Sequence, residues 1–445
     1  MRWQDRHVAT SVHDDRPLRS PKLQPAARQA ISPGAKYYAG YDAGFVTDLL
    51  PILGVTKGSL LLDPWNGAGT TTTVAHGAGV PAIGFDINPV LVIVGKAKLL
   101  SFGVAESLRA ILDGVLERAR NSSLPPAEGE PLCQWFTKGT AAYLRALESG
   151  LQQNLVLANA HVDLTSSEGL DRVSALAASF YVALFETVRS FLREYGTSNP
   201  TWVKRPGNIK ERISLSRDRI DSRFRVSEQR LHKHLLTIKG EPHDRPQALE
   251  GSRIAVGSSM ALPLPAGSID ACISSPPYCT RIDYAVLTRP ELAVLGVDDS
   301  HMRTLREATI GTTTMASAVP EPRDDWGLTT AEFLERVSSH HSKASATYYR
   351  RYFLQYFDMM HQSMQELRRC LRDDGKAALV VQDSYYKDVR LDLAKVLREM
   401  GAGLGWAHAT QADFTVPRTM ATMHPFSHKY RSDFRATESL LILAA

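Results

Sequence analysis

Apolar positions along the chain keep two rhythms. The run GSLLLD (58–63) is short and continuous, as in a buried strand, and a Gly-rich turn and a Thr-rich helix start follow it. PAIGFDIN (81–88) reads as the next strand, and PVLVIVGKAKLL (89–100) as a helix with Pro89 in its first turn. Strand, helix, strand, helix in that order predicts a parallel sheet. The rhythm then changes. Leu144, Leu147, Leu151 and Leu155 recur at helical spacing, as do Leu184, Val188 and Leu192, so residues 101–249 read as a largely helical insertion. Strand character returns at SIDACIS (268–274). A long amphipathic helix carries Phe353, Phe357, Met360, Met364, Leu367 and Leu371 and is expected to end at Gly375. KAALVVQD (376–383) reads as a buried strand, RLDLAKVLREMG (390–401) as a helix and ESLLILA (438–444) as a closing strand. The fold class expected is α/β, a Rossmann-like sheet interrupted by a helical insertion. Four regions follow: a flexible polar arm over 1–36, punctuated by Pro17, Pro21, Pro25 and Pro33; a first strand-and-helix half over 37–100; the insertion over 101–249; and a second strand-and-helix half over 250–445.

Composition narrows the class. The 445 residues are 43% hydrophobic and 22% charged, ordinary for a globular protein with more than one core. The net charge of +5 permits a nucleic-acid partner without demanding one. Cys133, Cys272, Cys279 and Cys370 form no CxxC and pair with no His at ligand spacing, so neither a metal site nor a disulfide framework is expected. The charged N-terminus lacks an apolar signal core, and no run reaches the ~18 apolar residues a membrane span needs. The expectation is a cytoplasmic protein with no membrane partner.

DPWNGAGTTTT (63–73) lies between a strand and a helix. Gly67 and Gly69 let the backbone turn tightly and approach a ligand, with Thr70 opening the helix. Asp86 stands 23 residues after Asp63, at the end of the next strand, where a carboxylate accepts hydrogen bonds from ribose hydroxyls. Two features exclude a nicotinamide fingerprint. Thr72 occupies the place of the third glycine, and Asp63 would repel a pyrophosphate. An acid ahead of the glycines suits a ligand with a cationic amino group, which points to S-adenosyl-L-methionine.

Ser275-Pro276-Pro277-Tyr278 follows the strand SIDACIS. Two prolines fix the turn and leave bare carbonyls. Ser275 and the Pro276 carbonyl are placed to accept hydrogen bonds from an amino group, and Tyr278 offers a flat face to a base drawn out of a duplex. An exocyclic amine is a poor nucleophile because its lone pair is delocalised into the ring. Accepting both N–H bonds at a geometry that favours sp³ nitrogen frees that lone pair to attack a sulfonium methyl. Methylation at cytosine C5 would need a Cys nucleophile, typically after Pro, and the chain has no Pro-Cys pair.

These two motifs together resemble those of the class I S-adenosylmethionine-dependent amino-methyltransferases, with their DPFxGxGT and [DNS]PPY signatures. Asp63 to Thr70 is similar to the first, with Trp65 where Phe is usual, and residues 275–278 match the second. The resemblance implies that Asp63, Trp65, Gly67, Gly69, Thr70 and Asp86 hold the cofactor and that Ser275, Pro276, Pro277 and Tyr278 are catalytic. KYYAGYDAGFVTDLL (36–50) is similar to the segment that helps hold the methionine end, and VVQDS (380–384) to a later strand. SPPY resembles the cytosine-N4 enzymes of DNA. Adenine N6 is the alternative, then RNA guanine N2, then a silent nucleic-acid-binding subunit of the same fold. The RNA enzymes usually carry an N-terminal RNA-binding domain, for which 36 residues are too short. Where the family often has a GDA-like stretch whose acid meets adenine, this chain reads Gly257-Ser258-Ser259.

The resemblance does not extend to residues 101–249. Sequence reading by the enzyme therefore falls to the insertion, to residues 297–345, or to a partner subunit. Between Thr201 and Gly240 eleven Lys and Arg face four acids, either a solvated helix face or a phosphate-binding surface. His232 and His234 stand among basic residues and read as surface or phosphate contacts, and His340 and His341 lie in a polar loop without partner acids at ligand spacing. Tyr348, Tyr349, Tyr352, Phe353 and Phe357 are at helical spacing and read as core. Asn199-Pro200-Thr201-Trp202 reads as a helix stop, with a nucleic-acid contact as the alternative.

Overall fold

The apolar runs assemble into one sheet. Its strands are β1 (Leu61–Asp63), β2 (Ala82–Asp86), β3 (Arg253–Val256), β4 (Ile269–Ser274), β5 (Leu371–Gln382), β8 (His408–Val416) and β9 (Ala436–Ala444), and a separate hairpin is made by β6 (Ser384–Tyr386) and β7 (Val389–Leu391). The computed structural model describes residues 18–22, 40–122, 128–157, 162–196, 202–241, 244, 249–280, 282–315, 318–416 and 436–445. The sheet order is β3-β2-β1-β4-β5-β9-β8. β3, β2, β1, β4 and β5 are parallel, and β9 runs antiparallel between β5 and β8.

Successive residues of a strand point to opposite faces, and the core divides accordingly. Leu61, Ala82, Ala271, Ile273, Ala378 and Val380 meet Phe45 and Leu49 of α1 (Ala43–Ile52) and Ala75 of α2 (Thr70–Ala78). Leu62, Phe85, Cys272, Leu379 and Val381 take the other face. There they meet α8 (Leu328–Ser339), α9 (Arg350–Cys370) and α10 (Leu393–Gly403). Tyr352, Phe353 and Phe357 lie in this core, while Tyr348 and Tyr349 are half-buried at its edge.

Helix α3 (Pro89–Ala97) starts as its sequence directs: the Asn88 side chain accepts from the Val90 N–H, and Pro89 needs no partner in the first turn. It shares a third core with α4 (Leu108–Asn121), α5 (Lys138–Leu155), α6 (Ala175–Phe191) and α7 (Arg217–Ile238). Leu144, Leu147, Leu151, Leu184 and Val188 all lie inside it. Two arginines fasten these helices to the chain beyond β4. Arg145 pairs with Glu130 at 3.0 Å and Glu148 at 3.2 Å and donates to the carbonyls of Ala293 and Val294. Arg189 pairs with Glu291 and donates to the Leu287 carbonyl at 2.7 Å.

Several elements depart from the sequence reading. The helix expected through Leu371 to Gly375 stops at Cys370, because Leu371 pairs with Ile269 and the β5 register shifts before Lys376 pairs with Ala271. β3, β6, β7 and β8 were not expected: β3 has four residues, and β8, HATQADFTV, has little apolar content. Of the expected N-terminal arm, residues 18–22 are described and docked. Arg19 binds Asp48 through two nitrogens, at 2.6 and 2.8 Å, and the Pro21 carbonyl accepts from the Asp42 N–H.

Candidate active site

Sheet order reverses between β1 and β4, and such a switch point leaves a crevice at the carboxyl ends of the strands. Both motifs stand at it. β1 ends at Asp63, the chain turns through Gly67 (φ +49°) and Gly69 (φ +78°), and α2 begins at Thr70. Positive φ favours glycine at both positions. Gly69 is constrained twice, since a Cβ there would stand 2.9 Å from the Gly95 Cα. Thr72, the residue that breaks the nicotinamide fingerprint, donates to the Asn66 amide oxygen at 3.0 Å. Asn66 in turn packs over Gly84 of β2, so the turn rests directly on the neighbouring strand.

Asp86 closes β2. One carboxylate oxygen accepts from the Gly67 N–H at 2.9 Å and the other from the Asn88 N–H at 2.8 Å. The group is half-buried, and burial pushes its pKa up to about 7, against those two bonds and with help from the Asp63 charge. Trp65 is half-buried over the sheet, and its indole N–H is buried with no partner among the described residues.

Asp63 is only 2% exposed. Oδ1 accepts from the Ser274 hydroxyl at 2.5 Å and the Trp65 N–H at 3.2 Å, and Oδ2 accepts from the Tyr41 hydroxyl at 3.3 Å. Burial raises its pKa to about 6, and the hydrogen bonds, that of Ser274 foremost, hold it down. Tyr41 also bonds Thr71, whose hydroxyl donates to the Ile273 carbonyl at 3.1 Å. Asp63 thus fastens the glycine turn to the last residue of β4.

The Ser-Pro-Pro-Tyr turn leaves β4 next to that bond. The Ser275 hydroxyl lies 3.0 Å from the Val380 carbonyl and 3.2 Å from the Tyr278 hydroxyl. The Pro277 carbonyl accepts from the buried Tyr356 hydroxyl at 2.9 Å. Nothing among the described residues donates to the Pro276 carbonyl. Tyr278 is half-buried, and its hydroxyl donates to Glu438 at 3.1 Å.

Nine of the ten residues singled out from the sequence therefore stand on two adjoining turns at the ends of β1 and β4, and the tenth, Asp86, ends β2 and accepts from the Gly67 N–H of the first. Tyr41, Ser274, Tyr356 and Glu438, which hold those turns, were not singled out. Tyr41 lay in a segment noted only as a whole, and Glu438 was visible as the lone acid opening ESLLILA. Gly257-Ser258-Ser259 follows β3. Its Gly257 N–H donates to the Asp86 carbonyl, and Ser259 bonds Ser363 at 2.9 Å.

The basic run is largely engaged within the protein. Arg217 donates to the Arg120 carbonyl and lies over Tyr143, and Arg219 lies over Phe191. Arg223 and Arg230 pair with Glu186, and Arg225 with Asp113. The neighbouring loop is open: Trp202 is 49% and Ile209 73% exposed, with Lys204 and Lys210 exposed between and beside them. His340 does have a partner acid, Asp388 at 2.9 Å, brought by the β6–β7 turn from 48 residues downstream. No three metal-binding side chains converge among the described residues, and the four cysteines are free thiols. No helix among the described residues is long and apolar enough to cross a membrane.

Fold and site together define a Rossmann-like α/β architecture with a glycine turn, a carboxylate on the second strand and a Pro-Pro turn across the switch point. The chain is 28% identical over 302 residues to the Type II methyltransferase M.BsoBI of Geobacillus stearothermophilus. The aligned part is 64% of this chain and 56% of that protein. No family model matches the chain.

Proposed function

We propose that the protein transfers a methyl group from S-adenosyl-L-methionine to the exocyclic amino group of a DNA base, cytosine N4 before adenine N6. The observation that carries this reading is the Asp63–Ser274 hydrogen bond, which sets the glycine turn and the Ser-Pro-Pro-Tyr turn side by side. The likeness to a Type II methyltransferase supports it.

The turn fits the donor. Gly67 and Gly69 supply the positive φ that the tight turn needs, Thr70 opens the helix behind them, Asp86 offers carboxylate oxygens to ribose hydroxyls, and Trp65 brings an indole N–H without a partner among the described residues. The buried Asp63 charge favours a cationic ligand in front of it. Bound there, the donor supplies a sulfonium methyl. The protein's part is to prepare the amine. Ser275 and the unclaimed Pro276 carbonyl accept its two N–H bonds, Pro277 is held by Tyr356, and the Tyr278 ring stacks on the base. This arrangement stabilises nitrogen as it becomes sp³, a gain made in the transition state. DNA would be met by the open loop carrying Trp202, Lys204 and Lys210, with phosphate contacts from its lysines.

The test is methyl transfer from labelled donor to duplex DNA by purified protein. The double variant Ser275→Ala, Tyr278→Ala should lose transfer while still binding the donor. Transfer at the parent rate by that variant would show the turn to be structural only.

A further inference from the structure

Glu438 is the third residue of β9, at the same end of the sheet as the two turns, and faces Gln382 of β5 and Phe414 of β8 in register. It is 8% exposed and stands between Thr437 and Ser439, ahead of the apolar run Leu440–Ala444. Oε1 accepts from the Tyr278 hydroxyl, and Oε2 is buried with no partner among the described residues. A buried carboxylate with one oxygen unused is costly to the fold and needs a reason. A chain of bonds leads to it: the Ser275 hydroxyl, 3.0 Å from the Val380 carbonyl, can instead donate to Tyr278 at 3.2 Å, and Tyr278 donates to Glu438 at 3.1 Å.

Resting on the function proposed above, we infer that Ser275, Tyr278 and Glu438 form a hydrogen-bond relay that strengthens Ser275 as acceptor for the target amine and draws off the proton the amine loses. The nitrogen–methyl bond forms as the sulfur–methyl bond breaks, and the sulfur leaves as a neutral thioether. Positive charge appears on nitrogen. Its proton passes to the Ser275 oxygen as Ser275 gives its own to Tyr278 and Tyr278 gives its own to Glu438, which ends as a neutral acid and later loses the proton to water. Ser275 has a single hydroxyl proton, so the relay is engaged when that proton points to Tyr278 and not to the Val380 carbonyl. Glu438 is a positioning residue in this scheme, acting on the base through the other two.

The surroundings suit a proton acceptor. Burial raises the Glu438 pKa, the Tyr278 bond and the Lys22 charge oppose the rise, and the carboxylate is a stronger base than an exposed one. Burial and the Glu438 charge hold the Tyr278 phenol well above its ordinary value, so it passes a proton only as it receives one. Among the described residues, Tyr278 from the turn and Lys22 from the docked N-terminal segment are the titratable groups that act on Glu438.

The experiment is single-turnover methylation of a DNA duplex at saturating donor, from about pH 5.5 to about pH 8.5, with parent, Glu438→Gln, Glu438→Asp and Tyr278→Phe. Gln keeps the acceptor for Tyr278 but cannot take a proton. Glu438→Gln should bind donor as the parent does, methylate roughly 10- to 100-fold more slowly, and lose the part of the acid limb that Glu438 contributes. Glu438→Asp should regain part of the rate. Tyr278→Phe keeps the stacking ring and should match Glu438→Gln, with the double variant no slower than either, because both break one chain. A Glu438→Gln protein with the parent's rate and pH profile overturns the relay and leaves the functional reading standing. A parent that transfers no methyl group overturns both.

Discussion

Removing the Ser274 hydroxyl should weaken the fold more at high pH than at low pH. Ser274 is fully buried, and its hydroxyl reaches Asp63 Oδ1 at 2.5 Å in a site where the carboxylate is 2% exposed. Ser274→Ala leaves the Trp65 N–H and the Tyr41 hydroxyl as donors to that buried carboxylate. A hydrogen bond to an ionised group is worth about 1.5–3 kcal/mol, and one to a neutral group about 1 kcal/mol. Burial lifts Asp63 from its ordinary 3.8 to about 6, so the folded protein holds this proton more tightly than the unfolded chain. The stability from that proton is fully present below pH 3.8 and is lost as pH rises through about 6. Without Ser274 the folded pKa climbs further. At pH 8 the variant must still ionise a carboxylate that has lost its best donor, and it should be destabilised by about 2–3 kcal/mol; near pH 5, where Asp63 is mostly protonated, the loss should be about 1 kcal/mol. Urea denaturation of parent and variant at both pH values measures the difference. A loss below about 0.5 kcal/mol at both, or a larger loss at pH 5, would refute the argument that this bond holds the two turns together.

Three further outcomes follow from the same geometry. Donor affinity should rise between about pH 6 and pH 8, because Asp86, with a pKa of about 7, must ionise to accept ribose hydroxyls fully; calorimetry should show this rise abolished in Asp86→Asn, and a persistent rise would move its cause elsewhere. Gly69→Ala should lose donor binding and about 1–2 kcal/mol of stability, since φ of +78° and the Gly95 contact both oppose a Cβ; a thermal melt with a parent midpoint would contradict this. Lys204→Gln with Lys210→Gln should flatten the salt dependence of DNA binding by about two phosphate contacts, whereas Arg223→Gln and Arg225→Gln should chiefly lower stability; the reverse pattern would return the phosphate surface to α7.

The parallel half of the fold was legible because its strands are short, apolar and followed by turn residues, as in GSLLLD and PAIGFDIN. β3 and β8 were not, because their strand character comes from their neighbours. RIAV pairs along β2, and HATQADFTV is held by β9 along its whole length. The two motifs could be read from residue type and order. What joins them could not, since Asp63 and Ser274 are 211 positions apart and meet only when β1 and β4 become neighbours. The arginines of α7 left two readings open, a solvated face or a phosphate surface, because their partners Glu186, Asp113 and the Arg120 carbonyl lie on other helices and are invisible in the local sequence. Glu438 belongs with these long-range joints. In sequence it is one acid at the head of a strand, and its meaning depends on Tyr278, 160 positions away.

The central claim, that the Ser-Pro-Pro-Tyr turn prepares a base amine for methylation, is tested most directly by nucleoside mass spectrometry. DNA from cells expressing the parent protein is digested and compared with DNA from cells expressing the Ser275→Ala, Tyr278→Ala variant. The account predicts N4-methylcytosine in the first and none above background in the second. N6-methyladenine in its place would keep the mechanism and change the base. Neither nucleoside in the parent sample, or equal amounts in both, would contradict the claim.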